Sequence, residues 1–503
     1  MKKALILTCF LSFALASCDT EDFLTITPET ALSSATFFKT EADFQQAVNG
    51  AYVPLRAIHN GPSMLLSEQH SDNARYVRNI LFGATENQGN LADFNVPTAN
   101  GITTNSHVLN VYRQNYQIIA RTNQILALID GVDMPAASKN NLKGQALFLR
   151  ALAYFDLVRY FNRGPLHLTP VAERSAAALP LATGEALYAQ VIKDAQEALT
   201  LLPPKSVQEA GRATSGSAGA LLANVYMIQK KWAEAEAVLR TIVTSNQYSL
   251  IPDYANVFST TSGNKNNSES VFEVQYLEGA QGLNGTFLYG MLPSPMAPNE
   301  LVTITGTSNP QPITGEGNNI PTPDIIAAYE PGDKRKDVSV GFITLSGALH
   351  ENKTFPHIKK YAKPHSLHNN HGMNWPVYRY SEVLLFMAEA LMEQNKLGEA
   401  IPFLNQVRNR AGLENTTASS QTELRAAIYQ ERRVELAFEA KRLHDLVRTG
   451  RLVEVITAYG NRVKADKAKY YYPKDGFVPG DAFTNLDLYY GLPAAEADLS
   501  PNF

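Results

Sequence analysis

Apolar residues first fall into a clear period at Phe44, Ala47, Val48, Ala51, Tyr52 and Leu55, the three- and four-residue steps that lay one stripe along a helix. Thr40-Glu41-Ala42-Asp43 stands just ahead in the form of a capping box, so a helix to about residue 58 is predicted. The same period predicts helices at 107–130, 139–161, 184–202, 216–230 and 232–245, then at 379–394, 397–411, 421–440 and 442–459. Residues 60–106 are rich in Gly, Asn, Ser and Pro with scattered aromatics and no sustained period, which predicts long loops. From 246 to 378 the period is lost again, apart from one strand-like run, Ser270 to Tyr276 (SVFEVQY). The pattern is helical at both ends and irregular in the middle.

The helical parts repeat. Ala223, Tyr226, Trp232, Ala235 and Leu239 superpose on Ala388, Leu391, Leu397, Ala400 and Leu404 at one constant offset of 165. Small residues recur where two helices cross, and the turn falls at Lys230-Lys231 or Asn395-Lys396. This is the logic of tetratricopeptide-like helical hairpins. A third copy starts at Ala151 and Tyr154, with its second helix displaced to about 185–202. The fold class expected is mostly α, built of such hairpins, with long irregular loops and minor β.

Composition narrows the function classes. A chain of 503 residues with 45% hydrophobic and 18% charged residues is long enough, and apolar enough, to fold around a large core. The net charge is −4 and no basic block interleaves with aromatics, so nucleic-acid binding is not expected. At the start, Met1-Lys2-Lys3 and an apolar run of 13 residues, Ala4 to Ala16, read as a secretory signal, residues 1–17. Leu15-Ala16-Ser17-Cys18 resembles the bacterial lipoprotein signal, in which cleavage leaves an acylated cysteine, here Cys18, as the N-terminus. The only other cysteine is Cys9, inside the removed segment, so neither a disulfide nor a cysteine metal site is expected. Asp19-Thr20-Glu21-Asp22 opens a tether over 18–36 that looks like the acidic export tag of surface lipoproteins in some Gram-negative bacteria. The expected location is the outer membrane, lipid-anchored and facing outward.

Four segments carry a family resemblance: Gly144 to Phe161 (GQALFLRALAYFDLVRYF), Gly211 to Ala235, Tyr378 to Leu413 and Glu431 to Arg451 (ERRVELAFEAKRLHDLVRTGR). With the lipobox and Thr30 to Tyr52, they resemble the SusD/RagB family in the expected order along nearly the whole chain. The resemblance implies a mostly helical outer-membrane lipoprotein that binds oligosaccharides or other nutrients and caps a SusC-like TonB-dependent transporter, without catalysis. It divides the chain into an N-terminal helical region, 37–260, and a C-terminal region, 261–503. Two departures bear on local packing. Val108 stands where the family commonly has Trp, and the tail LPAAEADLSPNF only loosely matches the family's usual end.

Candidate chemistry is sparse. Glu435, Glu439, His444 and Asp445 lie close in sequence, but the neighbouring Arg432, Arg433, Lys441, Arg442 and Arg448 make a structural salt-bridge net the simpler account. His365, His368 and His371 recur at steps of three with no acid or cysteine between Pro364 and Pro376, which reads as a polar surface loop without a metal. No phosphate-binding, zinc-protease or nucleophile-elbow motif stands in a credible setting, so no cofactor is assigned and a secreted hydrolase is the weaker reading. A sugar-binding surface needs flat rings beside amide, carboxylate or guanidinium groups. Two loops offer that mixture. The first, Ser71 to Phe94, holds Asp72, Asn73, Arg75, Tyr76, Phe82, Asn87 and Asn90; the second, Tyr276 to Tyr289, holds Tyr276, Gln281, Asn284, Phe287 and Tyr289. A soluble oligosaccharide is the expected ligand, with a peptide as the alternative.

Overall fold

Thr40 opens the first helix as expected. Its side chain accepts from the Asp43 amide, and the Asp43 carboxylate accepts from the Thr40 amide at 2.8 Å. The computed structural model describes residues 37–76, 86–260, 264–313, 319–346, 352–472 and 476–499; Cys18 and the tether lie outside them. The main helices are α1 (Glu41–His59), α2 (Ser106–Leu128), α3 (Ala136–Phe161), α4 (Gly184–Leu201), α5 (Ser215–Ile228), α6 (Trp232–Thr244), α7 (Tyr380–Glu393), α8 (Leu397–Arg410), α9 (Gln421–Glu435), α10 (Arg442–Arg448) and α11 (Leu452–Ala465). Each from α1 to α8 packs on the next, and α9 packs on α7 and α8, so successive hairpins stack around a large apolar core.

The repeat is geometric as well as sequential. In α5–α6 and α7–α8 the residues Ala223, Ala235, Leu239, Ala388, Leu391, Ala400 and Leu404 are all buried. Alanine at the crossings lets the backbones approach, while each buried leucine contributes about 1.5–3 kcal/mol. Both turns use a left-handed residue, Lys230 at φ 57° and Asn395 at φ 61°, followed by an amide that donates back across the turn, Lys231 to Tyr226 O and Lys396 to Leu391 O, each at 2.9 Å. The third copy is present too: Ala151 and Tyr154 are buried in α3, and the insertion 162–183 separates α3 from α4.

Two predicted helices are shorter than expected. The run expected over 421–440 stops at Glu435, because Phe438 and Ala440 take left-handed φ of 68° and 58°. The run expected over 442–459 is two helices, α10 and α11, broken where Gly450 takes φ 69°. The middle of the chain is also more ordered than its pattern suggests. Strand β1 (Ala74–Tyr76) pairs antiparallel with β3 (Asn319–Pro321), Arg75 opposite Ile320. Strand β2 (Ser270–Val274), the expected run, pairs antiparallel with β6 (Trp375–Arg379), and β4 (Val340–Thr344) pairs with β5 (Thr354–Ile358). Val108 is fully buried in the core, and the tail closes the structure by pairing Leu492–Pro493 in parallel with Ile102–Thr103.

Candidate functional site

The first candidate loop is bound into the protein by its polar groups. Asp72 is buried and shared by two guanidiniums, Arg442 at 2.7 and 3.0 Å and Arg433 at 2.8 Å. Burial acts to raise its pKa, but Arg433 and Arg442 hold the carboxyl well below the usual range. Asn73 donates to Glu68 and accepts from Arg433 Nε at 3.0 Å. Arg75 is buried, donates to Asp93 Oδ1 at 2.5 Å and to the Tyr472 hydroxyl, and its guanidinium lies 4.7 Å from the centre of the Tyr472 ring. Tyr76 is buried beside it on β1, and Asn90 is half-buried at the end of a short helix, Glu86–Ala92. Phe82 and the side chain of Asn87 lie outside the described residues.

The second loop is held likewise. The Tyr276 hydroxyl donates to Arg56 O at 2.9 Å, and burial pushes its pKa up. Asn284 donates to Asn369 O at 2.9 Å. Phe287 is wedged among Tyr361, Trp375 and His371, with ring centres 4.4 to 5.4 Å away. Tyr289 is buried, with its hydroxyl 2.6 Å from His365 Nε2 and its ring 4.5 Å from His368. The rings of Tyr76, Tyr276, Phe287 and Tyr289 therefore face protein in this structure. The three histidines differ from the surface loop expected of them: His365 and His371 are buried against these rings. Burial, then the charges of His365 and Lys265, push His371 down to about 3. No group of three potential metal ligands forms among the described residues.

The acids near the end of α9 are counter-ions, as their neighbours suggested, but the partners come from across the fold. Glu435 takes Arg379, Arg335 and Arg410; Glu439 takes Arg379 and Lys360; Arg379 also reaches Glu269. Only Asp445 with Arg448 keeps the local three-residue step, and Asp445 also holds Arg432. His444 is buried against the Tyr160 ring, and burial holds it neutral well below its ordinary range. None of these groups lines an open site with a free acid or base.

What the two loops support is a face. β1 and β3 lie side by side, and β3 also packs against β5 and against Phe287–Met291. The segment 470–472 crosses over them: Tyr470 donates to Asp324, Tyr471 to Pro321 O and Tyr472 to Asp93. Two rings stand into solvent nearby in the chain, Phe342 at 59% exposure on β4, the partner strand of β5, and Phe477 at 77%, five residues after Tyr472. Neither was picked from the sequence. The alternation of β4 was the one available signal, lost because 246–378 read as irregular. Beside the second loop, an open cleft of about 230 Å³ is lined by Asn49, Tyr52, Arg56, Glu209, Arg212 and Gln275. Gly211 lets Gln275 approach there: its φ is 87°, and a Cβ would sit 2.8 Å from Gln275 Cδ.

Two family models match this chain: the SusD family over residues 338–502, and a family described as starch-binding and associating with the outer membrane over residues 22–227. SusD-like protein P25 of Formosa agariphila is 26% identical over 486 residues, covering 90% of each chain. SusD-like protein P2 of the same organism is 28% identical over 493 residues, covering 89% of this chain and 91% of the relative. Among solved structures, a laminarin binding SusD-like protein superposes with a TM-score of 0.73 at 25% identity, covering 93% of this chain and all of the other. Surface glycan-binding protein A from Bacteroides thetaiotaomicron in complex with laminarihexaose has a TM-score of 0.72 at 23% identity, covering 92% and 98%.

Proposed function

The chain belongs to the SusD-like family, and from that premise we propose that it is a cell-surface lipoprotein that binds an oligosaccharide and passes it to a SusC-like TonB-dependent transporter, with no chemistry of its own. The observation that carries the reading is the loop face. Phe342 stands exposed on β4, whose partner strand β5 meets Tyr471 through Phe355, and Phe477 stands exposed five residues after Tyr472, while Arg75, Asp93 and Tyr472 fix the polar groups of the first loop, so exposed rings for the apolar sides of sugars accompany a rigid floor. The two fold neighbours whose names carry laminarin and laminarihexaose make a soluble β-glucan the first ligand to try. Asp72, Asn73, Arg75 and Tyr76 then act as the floor of the site, and the edge of the second loop, with Gln281 and Asn284, as its rim; Tyr276, Phe287 and Tyr289 support that rim from inside. Residues 1–17 are read as the signal, Cys18 as the acylated anchor, 18–36 as the tether, and 37–260 with 261–503 as the two regions of the binding body. Among the described residues no helix is long and apolar enough to cross a membrane.

The test is retention of a glycan panel on the purified protein, scored with reducing-end release. Retention without release is expected, and Phe342→Ala or Phe477→Ala should each weaken it by about 1–3 kcal/mol. Turnover would replace the binding reading with a hydrolase, retention of peptides alone would change the ligand class, and loss only on Arg56→Ala would move the site to the cleft beside Gln275. Cys18→Ala should release the protein from membranes; unchanged partitioning would remove the anchor.

A further inference from the structure

Around Arg433 and Arg442, the two partners of Asp72, a cleft of about 320 Å³ opens over α9 and α10. Its lining includes Arg425, Tyr429, Gln430, Arg433, Arg442 and Arg451, and no carboxylate is among its lining residues. Arg425 is closed off by a two-point bond to Glu393, at 2.7 and 2.9 Å. Arg433 and Arg442 share the single carboxylate of Asp72. Arg451 pairs with no carboxylate among the described residues; its guanidinium lies 5.5 Å from the centre of the Tyr429 ring. Four guanidiniums thus meet two carboxylates, which leaves a surplus of two positive charges in one concavity of a chain whose net charge is −4.

The donors are as uneven as the charges. Arg442 spends Nε and Nη2 on Asp72, and Arg433 spends Nε on Asn73 and Nη2 on Asp72. The Nη1 of each makes no hydrogen bond among the described residues, and neither is shut away from solvent. The contrast with the ionic net next door is sharp. There, carboxylates push Arg335, Arg379, Arg410 and Arg448 up, each against the cost of burial. Arg433 alone goes down: burial lowers it first, Asp72 only partly offsets that, and the Arg442 charge lowers it further. Against the same cost of burial, Arg442, held by Asp72 in two bonds, is pushed up like the others, so of the two guanidiniums on Asp72 it is Arg433 that the carboxylate compensates less.

We propose that this cleft binds the anionic substituent of an acidic saccharide, a carboxylate or a sulfate ester, at a site separate from the loop face. A guanidinium fork matches either oxyanion with two parallel bonds. The half-buried Tyr429 ring and Ala426 offer an apolar wall for the sugar carrying it. The volume lies at the small end of ligand pockets, which suits one or two sugar units rather than a folded partner.

The test is calorimetric titration of the intact protein with four probes: an oligogalacturonate, carrying carboxylates only; a carrageenan oligosaccharide, carrying sulfates only; laminarihexaose; and a polyglutamate peptide. At least one acidic oligosaccharide should bind, and more weakly as salt is raised. Arg451→Gln should weaken it by about tenfold with Arg451→Lys intermediate, while laminarihexaose binding and the melting temperature stay unchanged. Whichever acidic arm binds identifies the substituent. The proposal fails if both acidic oligosaccharides bind no better than laminarihexaose, if Arg451→Gln leaves their binding unchanged, or if only polyglutamate binds.

Discussion

α5–α6 and α7–α8 are the same hairpin built twice, and they differ most at the residue that starts each one. The helices α5 and α7 begin and end at positions 165 apart, Ser215 with Tyr380 and Ile228 with Glu393. The residue ahead of each has the same extended backbone, Thr214 at φ −121°, ψ 167° and Arg379 at φ −118°, ψ 155°. Thr214 uses its side chain locally, to cap its own helix. Arg379 makes no cap; it reaches Glu269, Glu435 and Glu439, residues 110, 56 and 60 positions away. One backbone position therefore serves as a local stop in one repeat and as the hub of a long-range net in the other. A fold made of repeats gains its outer architecture by changing what the caps do while leaving the crossings alone.

Exchanging the two roles gives the largest effect. Arg379→Thr keeps a residue suited to the backbone and even restores a helix cap, yet it leaves three buried carboxylates short of a partner. The expected loss is about 3–5 kcal/mol, read as the shift in the urea unfolding midpoint. A loss near that of an ordinary surface exchange would mean that Lys360, Arg335 and Arg410 carry the net without the hub.

Acid should separate the two regions next. The hairpins α5–α6 and α7–α8 contain no histidine, whereas His59, His70, His357 and His371 are buried elsewhere. His70 is held to about 4 by burial, against the pull of its bond to Leu91 O at 2.9 Å. A histidine that titrates near 6.5 when unfolded and near 4 when folded stays neutral inside, so the unfolded state takes up more protons between those values. Its contribution is whole above about 6.5 and falls away as pH drops towards 4, by on the order of 3 kcal/mol. Hydrogen exchange followed from pH 7 to 4.5 should open residues 59–76 and 365–375 before α5–α8. His70→Phe, which keeps the stacking on Phe94, should flatten the pH slope; an unchanged slope would assign it to other groups.

The shared crossings give a smaller and more symmetric effect. Ala223→Leu and Ala388→Leu each press a larger side chain into a buried crossing, at about 1–3 kcal/mol. Because the geometry is common, the two melting shifts should agree closely. A large difference would show that the hairpins share their sequence spacing without sharing their packing.

These contrasts also mark what could be read in the sequence. The capping box at Thr40, the alanine crossings and the turn at Lys230 all act within a few residues, and each was legible. The end of α9 was not, since Phe438 and Ala440 take left-handed backbone in a run whose composition reads as helix. The net was recognised as a net but with the wrong reach, because Arg442 meets Asp72 370 positions away and no spacing rule connects them. The candidate loops were located by their mixture of rings and amides, and that mixture is what a loop also needs to tie itself down. Arg75, Tyr276 and Phe287 are consumed in that way, while Phe342 and Phe477, outside both loops, stand exposed.

The smallest effect lies at the other end of the opening comparison. Thr214 Oγ1 accepts from the Ser217 amide at 3.1 Å, and the Ser217 hydroxyl accepts from the Thr214 amide at 2.6 Å, so two of the four amides left over at the start of α5 are satisfied locally. The same Oγ1 lies 3.0 Å from the Tyr248 hydroxyl, and the Tyr248 ring stacks on Tyr380 at the start of α7. Thr214→Ala removes one acceptor and strands one hydroxyl, at about 1 kcal/mol. Thr214→Ser keeps the oxygen and should cost only a few tenths. If the alanine variant loses as much as Arg379→Thr, the cap at Thr214 is holding the junction between the hairpins through Tyr248 and Tyr380, and the two starting positions are alike in function after all. If the serine variant matches the alanine variant, the methyl group rather than the hydrogen bond is what α5 requires.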